Sequence, residues 1–289
     1  MVGRRLMIGL YARASGRGER LVLRTDWEAT KRKSDFVALA HIQRYEWVIQ
    51  ELRRQRAVPR TLLDMGCGSG YGTERLAQET RIPFVAGIDI SRDATAWGQR
   101  FFGGRRNLWF KQMDALSLTF PSRFFDVVAS FDVLEHLTER EQHIFLRNMA
   151  DVVEASGTCY VGCPNASVSQ RNCTHHKHEL SADEFATILY RYFGGVQLLC
   201  QDLCVDGVRT QDQWHDYLVR HIAGFVHLPV HRHVRYDNLG IFNDRRESAF
   251  GLLAICTKPK EVAHLSRLGA VLGDTNSSNV VQERLRSSS

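Results

Sequence analysis

"TLLDMGCGSGYGT", residues Thr61 to Thr73, is the stretch on which the reading of this chain turns. An apolar run ends in an acid, Asp64, and then gives way to Gly66, Gly68 and Gly70 at every second position. A strand that ends in glycines ahead of a helix leaves bare backbone amides at the carboxyl edge of a sheet, where ligands of open α/β folds bind. Phosphate-cradling loops of the G-x-x-x-x-G-K-[ST] or G-x-G-x-x-G kind need amides and a helix terminus with no competing anion beside them. Here Asp64 precedes the glycines and no P-loop lysine follows. An acid in that place suits a ligand that carries an ammonium group.

Outward from the loop, short aliphatic runs alternate with amphipathic stretches, the signature of repeated βα units. Strands are expected at "RTLLDMG", "PFVAGIDI", "NLWFKQMD", "FDVVASFD", "GTCYVGCP", "GVQLLCQD" and "AFGLLAICTK". The fold class is therefore α/β, a doubly wound and mostly parallel seven-stranded sheet. Ser181 followed by Glu184 predicts a capping box ahead of the helix "SADEFATILYRYF". An N-terminal helix, "FVALAHIQRYEWVIQELRRQ", precedes the first strand and is broken by Pro59. Residues 1–33 read as an extension and 34–260 as the domain. An insertion at about 205–248 carries its own helix near "DQWHDYLVRHIAGFVHL", and 261–289 read as a disordered tail.

With 44% hydrophobic and 24% charged residues among 289, the chain has the composition of a globular protein with a sizeable core. Its net charge of +6 is scattered over single arginines and Arg-Arg pairs, so a nucleic-acid partner is disfavoured. No run approaches the roughly 18 consecutive apolar residues of a membrane span. The seven cysteines form no C-x-x-C pair, which fits free thiols in a reducing cytoplasm. The arginine-rich start, whose first acid is Glu19, leaves a mitochondrial presequence as the alternative.

Two further acids complete the glycine loop: Asp89 ends "VAGIDI" and Asp114 ends "KQMD". Together with the acid-x-G-x-G-x-G loop they make the chain resemble the class I S-adenosylmethionine-dependent methyltransferases over about residues 36–259. That resemblance implies a Rossmann-like methyltransferase fold and S-adenosyl-L-methionine as cofactor. It implies Asp64, Gly66, Cys67, Gly68 and Gly70 at the methionine end, Asp89 on the ribose diol and Asp114 on the adenine amino group. Ile90 and Met113 would be apolar plates for the base, Ala115 and Phe131 would belong to the same cofactor site, and Arg44 or Tyr45 would touch the methionine carboxylate. Taken singly, each aspartate also reads as a helix cap or turn residue.

The acceptor side is expected after the fourth strand, in "SFDVLEHL". If its last part opens a helix, Asp132, Glu135 and His136 share one face at i, i+3 and i+4. A capping box made by Asp132 and Glu135 is the leading structural reading. A divalent metal on the same trio is the alternative and is not expected, because no secure fourth ligand is evident. His136 is the candidate base and Glu135 its catalytic neighbour, since histidine titrates near neutral pH. The segment "HHKHELSADEF" resembles the acceptor-side segment of sugar-modifying members, which implies that His175, His176 and His178 contact substrate. Small-RNA methyltransferases have a segment ending in "FEW" there, from which this chain departs. The expected function is O-methylation of a sugar or another small polar metabolite. RNA 2'-O-methylation with a metal, or a non-catalytic donor-binding protein of the same fold, are the alternatives. The insertion's Trp214, His215, Tyr217, Arg220, His231, His233, Arg235 and Tyr236 suit a carbohydrate-like acceptor, and equally a homodimer interface.

Overall fold

The computed structural model describes residues 36–169, 175–205, 208–209, 232–238, 249 and 251–261. The expected extension at 1–33, the helix inside the insertion and nearly all of the expected tail lie outside them.

The elements run α1 (Phe36–Arg54), β1 (Thr61–Met65), α2 (Tyr71–Glu79), β2 (Phe84–Asp89), α3 (Arg92–Phe102), β3 (Leu108–Gln112) and β4 (Phe125–Phe131). After a 3-10 turn (Leu134–His136) come α4 (Glu139–Val152), β5 (Val153–Pro164), α5 (Ala166–Ser169) and α6 (Ala182–Tyr192). The chain continues through β6 (Phe193–Val205), β7 (Val208–Arg209), β8 (Arg232–Asn238) and β9 (Gly251–Pro259). All seven expected strands form, as β1 to β6 and β9. Two further strands, β7 and β8, come from the expected insertion and pair with β6.

The sheet runs β3-β2-β1-β4-β5-β9-β6, with β1 to β5 parallel. β9 is inserted antiparallel to both β5 and β6. The order reverses between β1 and β4, so the loops that leave those two strands part at the switch point, where open α/β sheets bind ligands.

Strand parity sorts the core into two layers. On one face Leu62, Val85, Val127 and Ala129 pack with Ile42, Val48 and Leu52 of α1, Leu76 and Ala77 of α2 and Phe102 of α3. On the other, Leu63, Met65, Ala86 and Val128 pack with Phe145 and Met149 of α4 and Phe185 and Leu189 of α6. A sheet covered on both faces demands apolar residues at successive positions, which is why β1 is buried along its whole length. The helix α6 carries the expected capping box, with Ser181 on the Glu184 amide and the Glu184 carboxylate on the Ser181 amide.

Candidate functional site

Parity in β1 decides where its acid goes. Leu62 and Asp64 face the α1 layer, so the Asp64 carboxylate is closed over by helix α1 and is fully buried. The Tyr45 hydroxyl donates to it, 3.2 Å from each oxygen, and Thr73 Oγ1 donates at 2.7 Å. Burial pushes the Asp64 carboxyl up to about 7, against the opposing pull of those two hydroxyls. Asp64 and Tyr45 thus lie beneath the glycine loop as its support and are not exposed at its mouth.

The loop itself is left-handed at Gly66, Gly68 and Gly70, with φ of 82°, 54° and 84°. A side chain at Gly66 would meet Val133 Cγ2 at 2.3 Å, so that glycine lets the segment after β4 press directly on the loop. At Gly68 an added Cβ would meet nothing within 4 Å, so its outer side is open. The amides of Gly66 and Cys67 both donate to the Ile88 carbonyl at 2.8 Å, which fixes the loop on β2. The Cys67 thiol is buried, as are the other described free thiols Cys159, Cys163, Cys200 and Cys256.

Asp89 accepts from the Gly68 amide through Oδ2 at 3.0 Å and from the Ser91 amide through Oδ1 at 2.8 Å. Its neighbour Ile90 is 62% exposed, an apolar side chain standing in solvent at a sheet edge. Asp114 is exposed at the end of the β3 segment and accepts from the Leu116 amide at 2.9 Å. Met113 is buried between them and Ala115 is half-buried. An open glycine, a bare apolar plate and acids beyond two successive strands fit the nucleoside-bearing methyl donor that the sequence implies. Phe131 is different: it is buried and stacks edge-on against Tyr45, 5.0 Å between centroids, so it underlies this edge and does not line it.

The expectation for Asp132, Glu135 and His136 is corrected. Asp132 adopts a left-handed φ of 53° and is followed by a 3-10 turn whose N-cap, Val133, makes no side-chain bond. No capping box forms there, and the trio does not share a helical face. The capping box falls instead at Thr138 and Glu141, at the start of α4. The left-handed backbone turns Asp132 towards α1, where Arg44 and His41 both pair with it. Burial would raise the Asp132 carboxyl, but the Arg44 guanidinium and then His41 reverse this and hold it well below the usual carboxylate range. Arg44 also donates from Nε to Gln201 Oε1 at 2.7 Å, so it serves Asp132 and Gln201. His41 Nδ1 meets the Tyr71 hydroxyl at 2.8 Å.

Glu135 and His136 remain together, and the histidine segment joins them. Backbone amides of Lys177 and His178 donate to the Glu135 carbonyl at 2.7 and 3.2 Å, tying the segment to the 3-10 turn. His136 Nδ1 lies 3.2 Å from the His175 carbonyl oxygen, and His176 Nδ1 pairs with Glu179. Glu135, His136 and His176 could hold a metal ion, each offering a ligand atom within 4.8 Å of the others. The His175 side chain is exposed, whereas His178 Nδ1 is held by Gln142 Oε1 at 3.1 Å. The structure therefore brings His136 and His176 together and draws His178 off towards α4.

Sequence reasoning missed His41, Gln201 and Glu179. His41, Arg44 and Tyr45 are at i, i+3 and i+4 in one helix, a spacing that marks a common face. No local signal points to Gln201, 157 residues from its partner Arg44.

Residues 62–157 match the family model of a methyltransferase domain. A probable S-adenosylmethionine-dependent methyltransferase of Mycobacterium tuberculosis is 32% identical over 152 residues, 51% of this chain and 53% of that one. Ajmaline N-methyltransferase of Rauvolfia serpentina is 32% identical over 106 residues, 36% of this chain and 35% of that one. The crystal structure of the [4+2]-cyclase SpnF superposes with a TM-score of 0.53 at 19% identity, covering 88% of this chain and 93% of that one. The chain spans about half the length, or less, of these two curated relatives.

Proposed function

We propose that this chain, which matches a methyltransferase-domain model over residues 62–157, is a class I S-adenosylmethionine-dependent methyltransferase and that it transfers the donor's methyl group to a hydroxyl of a sugar or another small polar metabolite. The observation that carries the proposal is the packing of Val133 on Gly66. Val133 immediately precedes the turn bearing Glu135 and His136, so in this reading the acceptor side begins where the loop's outer edge ends. The working unit in this reading is residues 34–260.

The donor supplies an electrophilic methyl on a cationic sulfur that loses its charge as the methyl leaves. A carboxylate beside the sulfur would stabilise the ground state more than the transition state. The acids are accordingly assigned to the donor's periphery: Asp89 to the ribose, Asp114 to the base, and Asp64 with Tyr45 to the loop beneath the methionine end. Ile90, Met113 and Ala115 are assigned to the base's apolar faces. What is left for the protein is alignment, exclusion of water and removal of the acceptor's proton. A hydroxyl is a poor nucleophile at neutral pH, and His136 is the group assigned to assist its ionisation. A histidine whose Nδ1 hydrogen is given to a carbonyl, as the His136–His175 contact arranges, presents Nε2 as a lone pair. His175 and His176 are assigned to the acceptor. The N-methyltransferase among the relatives acts, by its name, on nitrogen. The choice of oxygen here rests on the base and on the polar, histidine-rich acceptor side.

Donor calorimetry followed by single-turnover transfer from labelled donor tests this. Asp89→Ala should weaken donor binding by about 2 kcal/mol or more, because it leaves ribose hydroxyls without a charged acceptor. His136→Ala should slow the chemical step by roughly 10²- to 10⁴-fold with donor affinity kept. Wild-type donor affinity in folded Asp89→Ala would overturn the donor assignment. Label arriving on nitrogen or carbon, or a preference for RNA ends over sugar nucleotides and glycosides, would overturn the acceptor.

A further inference from the structure

We propose that Asp64 makes the glycine loop select the charged methyl donor over its demethylated product, by releasing a proton when the donor's cationic end settles above it. The inference rests on the methyl-transfer reading, since it takes S-adenosylmethionine as the ligand, and it gives Asp64 a part beyond supporting the loop. Donor and product differ at this end by one charge, because the sulfonium is lost with the methyl group.

Three observations carry this. The first is a buried acid that no countercharge holds. Among the described residues the Asp64 side chain bonds to the Tyr45 and Thr73 hydroxyls alone. Its strand partners, Gly87 on β2 and Ala129 on β4, carry no charge, and the basic residues of α1 at this end, His41 and Arg44, pair with Asp132. The second is the chemistry of the two partners. A hydroxyl donates to a carboxylate and accepts from a carboxylic acid, so the pocket accommodates both states of Asp64. The guanidinium on Asp132 has hydrogens only to give and fits the ionised state alone. The third is the roof. The loop above Asp64 is left-handed at three glycines, which carry no side chain to hold a ligand off the backbone, and its outer side is open at Gly68.

The titratable groups around Asp64 are Tyr45 and His41 on α1, Cys67 in the loop, Tyr71 on α2 and Asp89 at the end of β2. The Asp89 charge opposes ionisation of Asp64 and a protonated His41 favours it, while burial keeps the Tyr45, Cys67 and Tyr71 hydrogens in place well above neutral pH. Burial also raises the Asp64 carboxyl to about 7, so near neutral pH a charge on the loop tips it. A cation above favours the carboxylate and the proton leaves to solvent; once the sulfur is neutral the proton returns. The donor therefore binds the ionised form more tightly, and its affinity rises as pH rises through about 7. A permanently ionised acid would hold the donor's ground state at the expense of transfer, and a carboxyl that regains its proton limits that cost.

The test is calorimetry of S-adenosylmethionine and S-adenosylhomocysteine binding to the whole chain, in buffers of different ionisation enthalpy, which reads the protons released. The window is about pH 5.5 to 7, below the range of roughly 7.7 to 8.0 in which an α-amino group titrates. Donor binding should release about half a proton at its maximum, and donor affinity should rise roughly fivefold across the window. Product affinity should change by less than about twofold. Asp64→Asn should abolish the release and the rise. Tyr45→Phe removes a hydroxyl that favours the carboxylate and should move the release to higher pH. Donor binding without proton release, or the same release in folded Asp64→Asn, would overturn this inference and leave the methyl-donor reading standing. Should Asp64→Asn not fold, an unshifted release in Tyr45→Phe would overturn it equally. Failure of the wild-type chain to bind the donor at all would remove both.

Discussion

Asp64 shows how one residue can be read correctly as chemistry and misplaced in space. Its position before the glycines marks a ligand loop, but its side of the strand is set by parity, and that side is roofed by Tyr45 of α1. Burial raises its carboxyl from 3.8 to about 7, so the native state holds a proton that the unfolded chain releases near pH 4. A raised acid destabilises the fold once ionised: the stability it lends is complete below about pH 4 and is lost as pH rises through about 7. At about 1.4 kcal/mol per pH unit the span is on the order of 4 kcal/mol. Asp64→Asn should flatten this part of the stability profile, seen as a smaller fall in melting temperature between pH 5 and 8 than in wild type. An equal fall in both proteins would place the titration elsewhere.

At the scale of elements, the capping pair at Ser181 was read from the sequence, the equally complete pair at Thr138 was not, and the one expected at Asp132 is lost because the backbone there leaves the helical region. Ser181 and Glu184 form the reciprocal pair that their spacing predicts. Asp132 and Glu135 have the same spacing and form no cap, because a φ of 53° at Asp132 turns the carboxylate from the chain ahead to α1 behind it. The cap belongs to Thr138, three residues before Glu141, at the true start of α4. Thr138→Ala should cost about 1 kcal/mol, with a range of roughly 0.5 to 2. Denaturant melts should show it as a lower midpoint with an unchanged slope. The same change leaves the glycine loop untouched, so donor affinity should hold.

For the whole molecule, the decisive placement is that of β9. It inserts between β5 and β6, hydrogen-bonded on both edges, with Leu252, Leu253, Ala254 and Cys256 fully buried. The last described strand therefore holds together two parts of the sheet that form much earlier in the chain. Ending the chain after Ala249 should leave two unpaired edges and an opened core, and the product should be insoluble or lack a cooperative melt. Cooperative unfolding of that truncated chain, followed by circular dichroism, would contradict the architecture. The same layering explains how α1 reaches the site. Packed on β1 and β4, it delivers Tyr45 to Asp64, and Arg44 and His41 to Asp132.

The sequence by itself determined the seven strands, the glycine loop at the carboxyl edge and the capped α6 helix, since each is announced by a pattern within a few residues. Periodicity, glycine spacing and capping pairs are local quantities, and local physics carries them. The tertiary structure alone decided which side chains meet: Asp132 with Arg44, Arg44 with Gln201, and His136 with His176. Those meetings depend on the sheet order and on one left-handed residue, Asp132, whose conformation no local signal specifies. A non-glycine residue holds that conformation only where the surrounding packing fixes it, and here the fixing contacts come from a helix about 90 residues earlier in the chain.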